Sequence, residues 1–332
     1  MALNMFTTVL CGSAFGAALT ASGVHQPGVI VSQFTLENFH MVESFLAAAA
    51  SSVALVTLFQ RLGYVQLPPR SRSSIGLFGN LDGNIVGGLV LGTGMALSGS
   101  CPGTVFAQVG AGIRSGFYAL AGGIVGGILW TGVIRPLLPK PAANDDRTPA
   151  PLAIDEKLGI SKLGAVVALE AIFVAILATT IRTSAAKTQG LVEPVAGGLL
   201  IGAAQLLTVV SRKTLLGTST AFEEVGTWFW SVIKGAKTSA STSFRNVVFV
   251  LGVVLGARLL STQGPVSVGH DVVALDHTKV LLGGILMSIG SRMAGGCTSG
   301  HGISGISLLS VSSFVTVAAM FAGAIGTGLA LY

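Results

Sequence analysis

Two stretches constrain this chain more than any others: Gly94-Met-Ala-Leu-Ser-Gly-Ser-Cys-Pro-Gly103 and Arg292-Met-Ala-Gly-Gly-Cys-Thr-Ser-Gly-His-Gly-Ile-Ser304. Each interrupts a long apolar run with glycine and one cysteine, after which the run resumes. The shift that carries Cys101 onto Cys297 also carries Gly87 onto Gly283, Gly88 onto Gly284, Gly94 onto Gly290 and Gly99 onto Gly295. A break inside hydrocarbon leaves backbone N–H and C=O groups without partners, which is tolerated only where protein covers them or water and solute reach them. The motif therefore marks two sites of one kind, one in each half of the chain.

Composition establishes that these runs belong in a membrane. Of 332 residues, 51% are hydrophobic and 10% charged, against roughly a quarter charged in soluble domains. The fold class expected is an all-α integral membrane protein, multi-pass in the cell membrane with the lipid bilayer as its solvent. The 46 glycines, beside only 7% aromatic residues, suit helices packed closely on small residues and backbone opened around a pathway. The nineteen Lys and Arg behind the net charge of +6 are scattered through short connections. They form no basic run with interleaved aromatics, so nucleic acid is excluded as a partner. Three cysteines without a CxxC pair offer neither a disulfide framework nor a metal site, and no cofactor motif is present. The apolar N-terminus lacks a basic leading segment, and Leu10 precedes Cys11, so no cleaved leader is expected.

Taken in order, the apolar segments are Leu3 to Ser22, a short Val29 to Phe34 and a full span from Val42 to Leu62. Gly83 to Ser100 then runs into the first motif, Pro102 to Ile113 leaves it, and Gly116 to Leu138 spans again. Twelve helical residues after the motif reach only about 18 Å, half a membrane. From Pro194 the order restarts: a run to Val210, a break at Ser211-Arg-Lys213, a short piece to Ala221, a span from Phe244 to Leu260, the second motif and a last span from Val311. The division expected is a first transmembrane repeat over 1–138, a polar Pro-rich linker over 139–157, an extra helix over 158–181 and a second repeat over 192–332, within one membrane domain. One extra helix between repeats of even crossing number turns the second repeat over, giving inverted structural repeats whose broken half-helices meet near the membrane midplane. The scatter of charge leaves open which face is cytoplasmic.

Pro102 fits the first position of a new helix, and Thr298 or Ser299 an N-cap, so both cysteines are expected at helix N-termini. Such termini favour anions, and a thiol is a weak S–H donor with a soft sulfur, which suits a sulfur-bearing anion. Cys101 and Cys297 are the expected substrate contacts, supported by Ser100, Pro102, Gly103, Gly296, Thr298, Ser299, Gly300 and His301. The plain alternative is that a free cysteine fills a small apolar gap. Packing is the first reading for Cys11, which has no counterpart in the second half. Arg292, in the last turn of the incoming helix, is expected to bond open carbonyls there, with direct anion contact or a lipid-facing position as alternatives. His25, Arg212 and Lys213 fall at the other broken pair as a candidate entrance. For the two cations, snorkelling to the headgroups is the competing reading. Trp228 and Trp230 read as interfacial anchors.

The residues Ser98-Gly-Ser-Cys-Pro-Gly103 and Ala294-Gly-Gly-Cys-Thr-Ser-Gly-His-Gly-Ile-Ser304, with Phe15-Gly16, Ser22-Gly23 and Gln33-Phe34, give the chain its likeness to a known family. Over nearly its whole length it resembles the YeeE/YedE family of sulfur-transport membrane proteins. The resemblance implies thiosulfate uptake through an hourglass of inverted repeats, with the anion passed between cysteines by S–H hydrogen bonds. Cys101 and Cys297 match two of those relay cysteines. The third is absent from its usual place: Ser22-Gly23 is followed by Val24-His25, leaving His25 or Cys11 to replace it, or a relay of two. The resemblance also implies a small soluble sulfur-carrier protein as a partner. The expected function is transport of thiosulfate or a related sulfur anion, with no catalytic residue. An intramembrane thiol enzyme and a carrier or channel for another anion are the alternatives.

Overall fold

In the computed structural model, the structure describes residues 2–138, 152–183, 190–235, 243–263 and 276–332. Most of the expected linker over 139–157 lies outside them. The described residues are helical: α1 Ala2–Ala21, α2 Pro27–Phe34, α3 His40–Arg61, α4 Asp82–Ser98, α5 Thr104–Ala111 and α6 Arg114–Leu129. A π turn, Trp130–Ile134, joins α6 to α7, Arg135–Leu137. Then come α8 Ile154–Leu158, α9 Lys162–Thr183, α10 Pro194–Arg212, α11 Thr220–Ile233, α12 Arg245–Gln263 and α13 His277–Met293. A π-helical stretch Thr298–Gly305, a 3-10 turn Ile306–Leu308 and α14 Val311–Leu331 close the chain.

Among the described residues, seven helices are long and apolar enough to cross a membrane: α1, α3, α6 with its continuation, α9, α10, α12 and α14. The pair α13 and Thr298–Leu308, bent by 42° at the second motif, is either a broken span or a re-entrant loop. The protein is a multi-pass integral membrane protein. Three local outcomes differ from the sequence reading. α1 crosses alone, where a joint crossing with the next piece was open. The short piece before Ala221 is not helical; α11 starts at Thr220 and carries Trp230, whose indole N–H donates to the Ile128 carbonyl at 2.9 Å. α5 has eight residues rather than twelve, because Gly112 takes a left-handed conformation (φ 78°) that ends it.

Glycine sets how closely the central helices approach. A Cβ placed on Gly87 would stand 2.8 Å from the Gly290 carbonyl oxygen, and one on Gly290 would stand 2.7 Å from that of Gly87. Gly94 and Gly283 oppose each other in the same way, at 2.6 and 2.8 Å. α4 and α13 therefore run antiparallel in backbone contact. Under the shift that relates the two motifs, Gly87 becomes Gly283 and Gly94 becomes Gly290, so each contact turns into the other. Flanking contacts follow the same rule: Gly88 lies on Thr316 and Ala319 of α14, and Gly284 lies on Ala119 of α6. Outside this seam, α1 runs beside α12, with Gly12 and Gly16 against Phe249 and Val253, and α10 runs beside α3, with Gly198 against Ser44.

Candidate functional site

Each break is stitched by its own side chains. α4 ends where Gly99 turns left-handed (φ 57°). The exposed carbonyl of Gly99 accepts from Gln108 Nε2 on α5 at 2.8 Å, and Gln108 Oε1 accepts from the Ser100 hydroxyl. Between these ties sits Cys101, whose backbone N–H donates to Thr104 Oγ1 at 2.8 Å while its sulfur accepts the Thr104 N–H at 3.3 Å. The cysteine thus caps α5 in the reciprocal manner of a capping box, with sulfur replacing the usual oxygen. The Cys101 carbonyl accepts the Val105 N–H at 3.0 Å, so Pro102 follows the cap at the first position of that turn, where its missing N–H costs nothing, and regular α5 runs from Thr104.

The second break is built from different residues to the same effect. Cys297, not Thr298 or Ser299, occupies the cap position, in extended conformation, and its carbonyl accepts from the His301 N–H at 2.7 Å. Thr298 is turned away and donates to the sulfurs of Met95 and Met320. Ser299 Oγ lies 3.3 Å from Cys297 Sγ, and Thr218 Oγ1, from the chain just before α11, lies 3.5 Å from it. His301 repeats the role of Gln108. Its Nε2 meets the open carbonyl of Ala294 at 3.1 Å and its Nδ1 the Ser313 hydroxyl at 2.9 Å. A carbonyl only accepts, so Nε2 carries the proton and, in the neutral ring, Nδ1 accepts from Ser313. The ring is occupied by the protein on both sides.

Cys101 and Cys297 lie on either side of Gly103 and Thr218. A Cβ at Gly103 would stand 3.8 Å from Cys101 Sγ and 3.7 Å from Thr218 Oγ1. From there the 3.5 Å contact leads to Cys297 Sγ. All three cysteines are free thiols and buried. Beside Cys101 lies a cavity of about 40 Å³, room for two or three water-sized bodies. Its lining is almost wholly apolar, with Phe15, Val24 and Phe45 prominent, and Ser44, Thr104, Thr298 and Ser299 border it.

Several candidates fall elsewhere. Cys11 packs in the contact between α1 and α10, its sulfur 4.0 Å from the Leu207 carbonyl, away from the cavity. Val24, rather than His25, lines the cavity; His25 is buried with its Nδ1 lacking a hydrogen-bond partner. His25 does not share an entrance with Arg212 and Lys213. α1 and α10 run antiparallel, with Ser22 against Gly197 and Cys11 against Leu207, so Arg212 lies roughly 22 Å along α10 from the His25 end. There Arg212 stacks over Phe249 and Lys213 over Tyr64. Arg292 bonds no open carbonyl; it forms an ion pair with Glu223 of α11, which also holds Arg135 Nη1 at 2.8 Å. A charge in that last helical turn is met by the nearest carboxylate, and α11 brings one.

Four residues at the site escaped sequence reasoning: Thr104, Gln108, Thr218 and Arg70. Thr104 carried a signal, a hydroxyl three positions after the cysteine, as a capping box requires. Gln108 was an unexplained amide in a half-helix. Thr218 and Arg70 reach the site from distant connections, and local pattern holds no trace of that.

Free, buried thiols at two breaks between helices define the class as a multi-pass membrane protein whose helices are interrupted at two places related by one sequence shift. The chain belongs to the sulphur transport family, whose sequence pattern matches residues 21–326. Among its relatives is a protein named thiosulfate transporter TsuA, from Spirochaeta thermophila, 25% identical over 326 residues and aligned over 94% of both chains. Two proteins described as probable transporters, from two strains of Xylella fastidiosa, are 31% and 30% identical over 128 residues, 38% of this chain and 83% of theirs.

Proposed function

We propose that this protein carries thiosulfate across the membrane along a passage between Cys101 and Cys297, which act as neutral S–H donors handing the anion from one half-helix start to the other. The observation that carries the reading is that both breaks border one cavity, lined by Cys101 and Thr104 from the first and by Thr298 and Ser299 from the second, while Thr218 Oγ1 lies 3.5 Å from Cys297 Sγ on the Gly103 side. The end-to-end similarity to a protein named as a thiosulfate transporter supports the choice of substrate. Thiosulfate suits the site because its terminal sulfur is a soft acceptor for a thiol, whereas its oxygens accept from N–H groups at the helix starts. A neutral thiol donates without repelling an anion.

In this reading residues 1–138 and 192–332 are inverted repeats, and the helix within 158–181 is the insertion that turns the second over. The antiparallel α4–α13 seam, whose two glycine contacts exchange under the motif shift, supports that arrangement. Each break then offers its helix start to one passage from opposite directions.

The test is uptake of radiolabelled thiosulfate into proteoliposomes by the wild type and by Cys101→Ala, Cys297→Ala and the double variant. Uptake is expected in the wild type, reduced at least tenfold in each single variant and lost in the double. Undiminished uptake in the double variant would refute the relay. Mass spectrometry of the wild type after turnover should return unmodified thiols; persulfide or disulfide at either cysteine would favour covalent chemistry instead.

A further inference from the structure

We propose that Arg70, in the connection between α3 and α4, forms an anion subsite at the Cys297 end of the passage and is a determinant of substrate affinity. The proposal rests on the anion-transport reading above and extends it to a residue outside both cysteine motifs. Arg70 is held from three sides. Its backbone N–H donates to Ser310 Oγ at 2.8 Å and its carbonyl accepts from Ser312 Oγ at 3.1 Å. Three residues on, Ser73 donates to the Met293 carbonyl at 2.6 Å and Asn84 Oδ1 receives the Ser73 N–H at 2.8 Å. The connection is thereby fastened to the end of α13 and the start of α14.

This anchoring lays the Arg70 side chain along the second motif. A Cβ on Gly296 would stand 3.1 Å from Arg70 Nη1, one on Gly300 3.3 Å from Nη2, and one on Gly305 3.1 Å from Cδ. Gly296 and Gly300 thus form a trough for the guanidinium, and Gly296 immediately precedes Cys297. The glycine-rich character of this motif, left unexplained by capping, has a use here: any side chain at those positions would push the cation away from the thiol.

What sets Arg70 apart is its charge balance. Nη1 donates to the Gly295 carbonyl at 3.3 Å, and Nε is buried without a partner. No carboxylate pairs with it among the described residues. Arg292, the other cation at this break, has a carboxylate partner in Glu223, which it shares with Arg135. His301 has both nitrogens engaged. Arg70 is therefore the cation of this site that has no carboxylate partner among the described residues, a state made favourable by an arriving anion. Its planar fork offers paired N–H groups to two oxygens of a tetrahedral sulfur oxyanion. With the oxygens on Arg70, the terminal sulfur of thiosulfate is directed to the Cys297 thiol.

Binding to purified protein tests this without relying on transport. Thermal unfolding is followed against sodium thiosulfate, with sodium sulfate and sodium chloride at matched ionic strength, for the wild type, Arg70→Gln and Arg70→Lys. Thiosulfate is expected to raise the wild-type midpoint saturably. The apparent affinity should fall at least tenfold in Arg70→Gln and be partly restored in Arg70→Lys, which keeps the charge but loses the fork. Should Arg70→Gln fail to fold, the wild type against Gly300→Ala, which crowds the guanidinium, carries the same expectation. A wild type that binds thiosulfate beside an Arg70→Gln that binds within twofold of it overturns the role of Arg70 and leaves the transport reading standing. A wild type stabilised by sulfate or chloride but not thiosulfate overturns both.

Discussion

Replacing Gly94 or Gly290 by alanine puts one methyl group into the α4–α13 seam. A Cβ on Gly94 would meet the Met287 backbone nitrogen at 2.3 Å, and one on Gly290 the Leu91 backbone nitrogen at 2.3 Å. Ordinary contact begins near 3.4 Å, so the helices must separate by roughly 1 Å, because neither obstacle is a side chain that can rotate away. Overpacking of this kind costs about 1–3 kcal/mol, offset by a few tenths from the better helix propensity of alanine. Gly326→Ala is the control, since a Cβ there meets nothing within 4 Å. Thermal unfolding in detergent should show Gly94→Ala and Gly290→Ala lowered by similar amounts and Gly326→Ala unchanged or raised. The double variant should lose less than the two losses together, because a seam already opened admits the second methyl. Thiosulfate uptake should fall in both single variants, since the same helices carry the two breaks. If Gly94→Ala and Gly290→Ala melt with Gly326→Ala, the close approach of these backbones is not what orders the centre of the fold. If only one is destabilised, the equivalence of the halves fails.

Thr218→Val removes the hydroxyl 3.5 Å from Cys297 Sγ while keeping its shape. Loss of such a bond is worth about 1 kcal/mol, so uptake is expected to fall several-fold with the melting temperature nearly unchanged; equal uptake would remove Thr218 from the pathway. Charge at the two ends of the bundle sets a topology. Arg61, Lys162, Arg212 and Arg245 lie at the end where α3 and α10 finish and α12 begins, whereas Arg114, Arg182 and Lys279 lie at the other. Counting Lys213 at the first end and Arg258 at the other, five basic residues against four among these described ones, the first end is predicted to be cytoplasmic. A cysteine introduced as Gln66→Cys should then react with an impermeant thiol reagent only from the cytoplasmic side, and Lys279→Cys only from outside. The reverse pattern would invert the assignment.

The sequence determined by itself that this chain lives in a membrane, that two of its helices break, and that the breaks correspond. Each rests on local pattern: apolar runs of spanning length, glycine and cysteine inside them, and a constant shift between copies. It placed both cysteines at helix starts correctly, since the chemistry that ends one helix and begins another is written within a few residues. It misplaced the second cap, because Cys297 rather than Thr298 or Ser299 begins its helix. Tertiary structure alone decided what surrounds the sulfurs. Glu223 claims Arg292, Thr218 reaches Cys297 from the preceding connection, and the antiparallel run of α1 and α10 parts His25 from Arg212. Arg70 arrives from a polar loop to lie on Gly296 and Gly300. These contacts join residues far apart in the chain, and hydrophobic periodicity does not encode them. Their partners are fixed only when the helices pack and bring groups distant in sequence within reach of one another, in a medium where an unmet charge or carbonyl is costly.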